Sequence, residues 1–278
     1  MQQALITEKV RKELDKWLKK TNRRLTYTPF VGIRDTWRVG RRHFHLEPGT
    51  QISHVSASDL ELRAMTYLRF YYKRVSFKTQ FPLVPLEKTI EIANSLGVVH
   101  PRDWTDNAAQ IMSTDIIMEG VDRKTNQRRT IAVFVRYMSG LYKMNDNELK
   151  PITREWQKIA IASAFHTQYL QQEFVILTDQ ELSKETEYSI NWLSYEDSFT
   201  TSEDEIIEFV KTFLTIYDRN PLEILNDLLE MAASTLHISF SLCLSLFRFC
   251  GQKHYLPLDV TQRITLSSTI GINYVGTV

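Results

Sequence analysis

Residues 112 to 138 read MSTDIIMEGVDRKTNQRRTIAVFVRYM, two apolar runs rich in β-branched side chains with a polar stretch between them. That pattern predicts strands over about 113–119 and 129–137, joined by the hairpin-type connection VDRKTNQRR. VSFKTQFPLVP alternates apolar and polar residues up to a proline, so it predicts a strand running into a loop, and EFVILTD (173–179) predicts a short buried strand. Elsewhere the spacing is helical. Over residues 4–20, Leu5, Val10, Leu14, Trp17 and Leu18 form an approximate apolar stripe. SASDLELRAMTYLRFYYKR opens a helix with Ser58 as N-cap and Glu61 at capping-box spacing, and Leu60, Ala64, Tyr67 and Leu68 line its buried side. LEKTIEIANSLGV predicts a short helix, residues 152–171 a long one around Trp156, Ile159, Ala160, Ala164 and Tyr169, and KETEYSINWL another. Residues 22–57 read as irregular, with TPF and EPGTQ as loop signals.

The elements from residue 58 onward therefore run helix, strand, strand, strand, helix, strand. The acidic run SYEDSFTTSEDE (194–205) reads as a boundary, giving an α/β domain over 1–195 and a mostly helical domain over 196–278 with the β-rich ITLSSTIGINYV at its end. MAASTLHISFSLCLSLFRFC (231–250) is apolar, but His237, Arg248 and its Ser/Thr content fit buried helices better than a membrane span, which wants about 20 nearly uninterrupted apolar residues.

Composition narrows the function classes. With 278 residues, 43% hydrophobic and 24% charged, a substantial core is expected. There are nine glycines and no GxGxxG or GxxxxGK[ST] run, which removes the main support for a Rossmann or P-loop nucleotide site. Cys243 and Cys250 have no partners at zinc-ligand spacing and read as buried free thiols suited to a reducing compartment. The first 20 residues are charged throughout and lack the apolar centre of a signal peptide.

Charge is uneven: residues 1–80 hold 17 Lys/Arg against 7 Asp/Glu, and residues 179–230 hold 3 against 14. The basic part contains KKTNRR, RVGRRHFH and YYKRVSFK, with Tyr27, Phe30, Trp37, Phe44, Tyr71 and Tyr72 among the cations. Such interleaving suits a phosphate-binding surface, and it also suits a solvated charged face over ordinary core aromatics. His43, His45 and His54 have donor spacing for zinc, and the first two can equally flank a phosphate.

The αβββαβ order is that of restriction-endonuclease-like nucleases. SDLELRAMTYLRFYYKRVSFKTQFPLVP, followed by HP…QIMSTDII and ILTDQEL…NWL, resembles the TnsA family, the endonuclease subunits of heteromeric cut-and-paste transposases, over roughly residues 25–195. The resemblance implies 5′-strand cleavage at transposon ends, a TnsB-type transposase that handles the 3′ strands, a TnsC-type ATPase regulator, a winged-helix-like C-terminal domain, magnesium or manganese as cofactor, and a bacterial, nucleoid-associated cytoplasmic location. It places Glu61 and Asp115 as metal-binding carboxylates, a strand carbonyl at Val135 as a further ligand, and Arg136 where the family has a lysine. A hard cation held by oxygens would activate water and neutralise the phosphorane. Arg41, Arg42, Lys73, Arg74, Lys78, Ser113 and Thr114 are candidates for DNA contact. Gln80 and the following Phe81 and Pro82 recur near the family's site edge, and Phe81 and Pro82 are read as packing that sets the helix–strand geometry.

The chain departs from the family pattern at two positions. Phe134 stands where the family has a glutamine ligand, and Arg136 keeps the charge of the lysine but cannot serve as a base near neutral pH. The family also places acidic residues on the helix after the third strand, where the nearby stretch IAIASAFHTQYL (159–170) contains no carboxylate. Three readings are open: an enzyme working with two carboxylates and an arginine, or with a lysine such as Lys143 or Lys158; a non-cleaving subunit that holds DNA ends and the ATPase; or an inherited fold with another binding task. Read without the family, Glu61 serves equally as a helix cap, Asp115 as a turn cap and Arg136 as a strand-end partner for a surface carboxylate.

Overall fold

The computed structural model describes residues 4–24, 27–32, 41–46, 52–145, 148–194 and 200–273. Trp37, the EPGTQ loop and the middle of the acidic run lie outside the described residues. The chain divides into two units, Met1–Gln180 and Glu181–Val278.

In the first unit α1 (Glu8–Arg24) buries Val10 against Leu86, Ile90, Ala108 and Ala109, with Leu14 packed beside them. Its stripe is narrower than expected: Leu18 is exposed, and Leu5 precedes the helix in a bridge to Ala108. A hairpin, β1 (His43–Leu46) and β2 (Ser53–Ser56), occupies part of the stretch expected to be irregular. α2 (Asp59–Tyr71) starts where its cap predicts: Ser58 Oγ accepts the Glu61 N–H at 3.2 Å, and Leu60, Ala64, Met65 and Leu68 are buried.

β3 (Tyr72–Pro82), α3 (Leu86–Ser95), β4 (Ser113–Asp122) and β5 (Arg128–Arg136) come after it. A short α4 (Met138–Leu141) and a second hairpin, β6 (Tyr142–Asn145) with β7 (Glu148–Pro151), come next and have no counterpart in the sequence reading. α5 (Thr153–Ala164) passes into a π-helical turn at Phe165–Tyr169, and β8 (Glu173–Thr178) completes the sheet. Strand order is β3-β4-β5-β8; the first three are antiparallel and β8 lies parallel to β5. Ile131 through Val135 are five successive buried residues, which requires cover on both faces of the central strand. α2 approaches β4 and β5, and the cluster of Phe134, Ile159, Ala162 and Phe165 packs α5 onto the sheet.

The second unit holds α6 (Lys184–Leu193), α7 (Glu203–Arg219), α8 (Leu225–Leu236) and α9 (Phe240–Gln252). Ser202 and Glu205 form a complete capping box on α7, and α8 ends at His237 in the left-handed region. Phe209, Phe213, Leu228, Leu229, Phe247, Cys243 and Cys250 are buried, and both thiols are free. The division falls ahead of α6, not inside the acidic run, because α6 is bonded to α9 and to the segment beyond α9. Ser189 Oγ donates to Gln262 O at 2.7 Å and accepts from Ile264 N at 2.9 Å, and Arg248 Nε donates to Trp192 O at 2.7 Å. Gly251 permits this approach: a Cβ there would lie 2.7 Å from Leu258 Cδ1 and 2.9 Å from Leu193 Cδ2. Among the described residues of this unit there is no strand; ITLSSTIGINYV contributes a single bridge, Leu258 to Ile272, in place of a β-wing. No single helix among the described residues is long and apolar enough to cross a membrane, and α8 and α9 meet at 111°.

Candidate active site

α2, the sheet and α5 bring Glu61, Gln80, Ser113, Asp115, Arg136 and Lys158 to one cleft of about 210 Å³. Glu61 reaches it because the capped first turn of α2 points inward. Its Oε2 accepts from Ala57 N at 2.8 Å and from Gln80 Nε2 at 3.1 Å. One side chain therefore both closes the start of its own helix and lines the cleft. Gln80 sits on β3 with φ +52°, a left-handed conformation uncommon for a non-glycine residue, and its Oε1 accepts from Ser113 Oγ at 3.3 Å. The sequence placed Gln80 near the site edge without a role; it is a direct partner of the Glu61 carboxylate.

Asp115 is held by β5. The β4–β5 register runs as far as Ile116 opposite Val133, and beyond it the Asp115 carboxylate takes over the ladder. Oδ2 accepts from Val135 N at 2.8 Å and from Arg136 Nη1 at 2.7 Å. The same Nη1 donates to Val135 O at 2.7 Å, and the guanidinium carbon stands 4.9 Å from the centroid of the Phe134 ring. Arg136 Nε lies 4.0 Å from Glu155 Oε2 and is buried without a hydrogen-bond partner among the described residues.

Glu155 corrects one expectation. The helix after the third strand does bring a carboxylate, from its first turn ahead of residues 159–170; Glu155 lines the cleft and accepts from Lys158 Nζ at 2.6 Å. Lys158 is in the cleft, while Lys143 is an exposed residue of β6.

The electrostatics are those of a crowded pocket. Burial, reinforced by the Asp115 charge, pushes the Glu61 carboxyl up to about 8, against the opposing pull of Ala57 N–H, Arg136 and Gln80. Glu61 therefore carries a proton near neutral pH. Burial works against the Arg136 charge, but Asp115 and Glu155 outweigh it and hold the guanidinium protonated.

Not every candidate converges here. Thr114 is fully buried and shares a 2.7 Å hydrogen bond with His166 Nε2 of the π-turn, so it has no hydroxyl to offer a phosphate. Lys73 pairs with Val121 near the start of β3, seven residues from Gln80 and so roughly 23 Å away at strand rise. Arg74 is its exposed neighbour, and Lys78 is paired with Glu119 at 2.9 Å. Arg41 lines an adjoining hollow with Glu61 and Arg136; Arg42 is half-buried beside it in sequence. His43 Nε2 lies 2.7 Å from Asp59 Oδ1, and His54 is buried.

Magnesium or manganese demands an octahedral shell of oxygens. Here Asp115 Oδ2 and Val135 O are both bonded to Arg136, Glu61 Oε2 already accepts two N–H groups, and Phe134 is a buried ring. Among the described residues no three His, Cys, Asp or Glu side chains converge on a cation position. The side chains as arranged do not fit the ion.

No family model matches the chain. Over 168 residues it is 28% identical to the Transposon Tn7 transposition protein TnsA of Escherichia coli, covering 60% of this chain and 55% of that protein. The chain thus spans little more than half the length of the curated relative it matches. With the αβββαβ sheet and the carboxylates of α2 and β4 at one edge, the match makes the chain TnsA-like: a distant relative of that transposition protein, built on a restriction-endonuclease-like core.

Proposed function

We propose that this chain is a transposition subunit that engages transposon-end DNA at the Glu61–Asp115–Arg136 cleft and holds the backbone there without cutting it. The observation that carries the reading is Arg136 Nη1 bonded at once to Asp115 Oδ2 and Val135 O, the two oxygens the family would offer a metal. Around it, Lys158 adds a second cation at the cleft. A guanidinium matches phosphate oxygens in a fork and stays charged at any physiological pH. Its partners would be the DNA ends, a TnsB-type transposase and a TnsC-type ATPase, with the helical second unit as the surface for the regulator. Recognition of end sequence would rest with the transposase partner.

The cleaving alternative keeps one specific support. Lys158 and Glu155 stand as an ion pair in the lining of the cleft that also contains Asp115, so a lysine is present at the site. In that reading Glu61 and Asp115 would hold the divalent ion, and Lys158 would take the lysine's place.

Reconstituted transposition tests the proposed role. Omitting this chain should abolish transposition from a donor that carries both ends, and Asp115→Asn, which removes the anion that orients Arg136, should lower its yield. Unchanged transposition without the chain would remove the proposal.

A further inference from the structure

The two departures from the family pattern, Phe134 and Arg136, form one device. They are two residues apart on β5, so their side chains emerge on the same side of the strand. The Phe134 ring is buried beside Phe174, centroids 5.4 Å apart, and the guanidinium carbon rests 4.9 Å from its centroid. A ring in that place supplies no oxygen, but its face attracts a cation. It fixes the guanidinium over Asp115 Oδ2 and Val135 O, each 2.7 Å from Nη1. The buried Nε keeps a donor unspent among the described residues.

We propose that Arg136 is the resident cation of the cleft, seated on the oxygens a divalent ion would otherwise take, so that the cleft binds a DNA phosphate independently of metal. This rests on the reading that the cleft engages DNA. Phe134 is then a positioning residue, and Asp115 is the counter-ion that orients the guanidinium.

Two measurements on the full chain test it. In the first, fluorescence anisotropy tracks a short labelled duplex of mixed sequence in EDTA and in magnesium at matched ionic strength. The affinities should agree within about twofold, and Arg136→Met should weaken both by about tenfold, the loss of one charge-assisted contact. In the second, the electron paramagnetic resonance signal of free manganese(II) is titrated with protein. The natural chain should leave the signal intact. Arg136→Met should deplete it, and Arg136→Met with Asp115→Asn should restore it. Stoichiometric depletion by the natural chain that Asp115→Asn abolishes would overturn the proposal. So would tenfold tighter DNA binding in magnesium, or a cooperatively unfolding Arg136→Met chain that binds no manganese. Should Arg136→Met fail to fold, the natural-chain arms decide alone. Absence of DNA binding in both buffers sinks the functional reading, whereas metal-dependent DNA binding sinks only this inference.

Discussion

Gln80 holds Glu61: its Nε2 donates to the carboxylate across 3.1 Å from a backbone at φ +52°. The side-chain contact and the backbone strain act in opposite directions, so substitutions separate them. Gln80→Ala loses the contact and keeps the strain, while Gln80→Gly loses the contact and relieves the strain. Gln80→Gly is expected to be the more stable of the two by about 1 kcal/mol in urea unfolding, a difference set by the Cβ cost of the left-handed region. Equal stabilities would mean that the backbone at Gln80 is not strained.

Asp115 and Arg136 form a buried pair, with side chains 8% and 15% exposed. Breaking such a pair from one side leaves the other charge uncompensated, so Asp115→Asn and Arg136→Met should each cost about 3–5 kcal/mol. The double variant should cost less than the sum by roughly 1–3 kcal/mol, since neither charge is then stranded. Additive costs in a double-mutant cycle would show that the two groups do not interact in solution.

Stability should pass through a maximum with pH. The Glu61 carboxyl moves from an ordinary 4.5 to about 8 on folding. Between those values the native state keeps a proton that the unfolded chain has released, so stability falls as pH rises through that window. Burial instead depresses His100 and His166 below their ordinary 6.5, so the unfolded chain binds more protons as pH falls past that value, and stability is lost there too. Glu61→Gln mimics the protonated acid and should flatten the alkaline limb, and it should steepen the acid limb, where the Glu61 titration opposes that of the histidines. Thermal unfolding from pH 5 to 9 reads both limbs, and an unchanged alkaline limb in Glu61→Gln would assign it elsewhere.

DNA affinity should fall steeply with salt, because phosphate contacts release counterions. Lys158→Ala should weaken binding similarly for all sequences and lower the log–log salt slope by about 1, the signature of one lost phosphate contact. Lys73→Ala, at the far end of β3, should leave a short duplex bound as before.

Much of the sheet was legible because its strands carry their own signals: alternation in β3, β-branched runs in β4 and β5, and a polar turn between them. α2 was legible from Ser58 and Glu61, and those residues also led to the cleft. What the sequence left illegible is where its neighbours part in space. Thr114 and Asp115 are adjacent, yet successive strand residues point to opposite sides, and Thr114 is spent on His166. Lys73 and Lys78 share β3 with Gln80 but lie toward its other end, where Lys78 meets Glu119. Glu155 went unnoticed because its own turn of α5 is polar and its role depends on where the helix begins. The β6–β7 hairpin is made of four-residue strands with mostly exposed side chains, so it leaves no apolar periodicity to read. Phe134 beside Arg136 was visible as a two-residue spacing, but the guanidinium's place between the Phe134 ring and Asp115 emerges only from the fold.

The central claim is that the cleft holds the DNA backbone without hydrolysing it. Strand-resolved mapping on end-labelled transposon-end DNA, with the TnsB-type partner present and with magnesium and then manganese, tests this most directly. Partner-dependent 3′-strand cuts with intact 5′ strands are expected in both metals. Nicks in the 5′ strands that vanish in Asp115→Ala would contradict it.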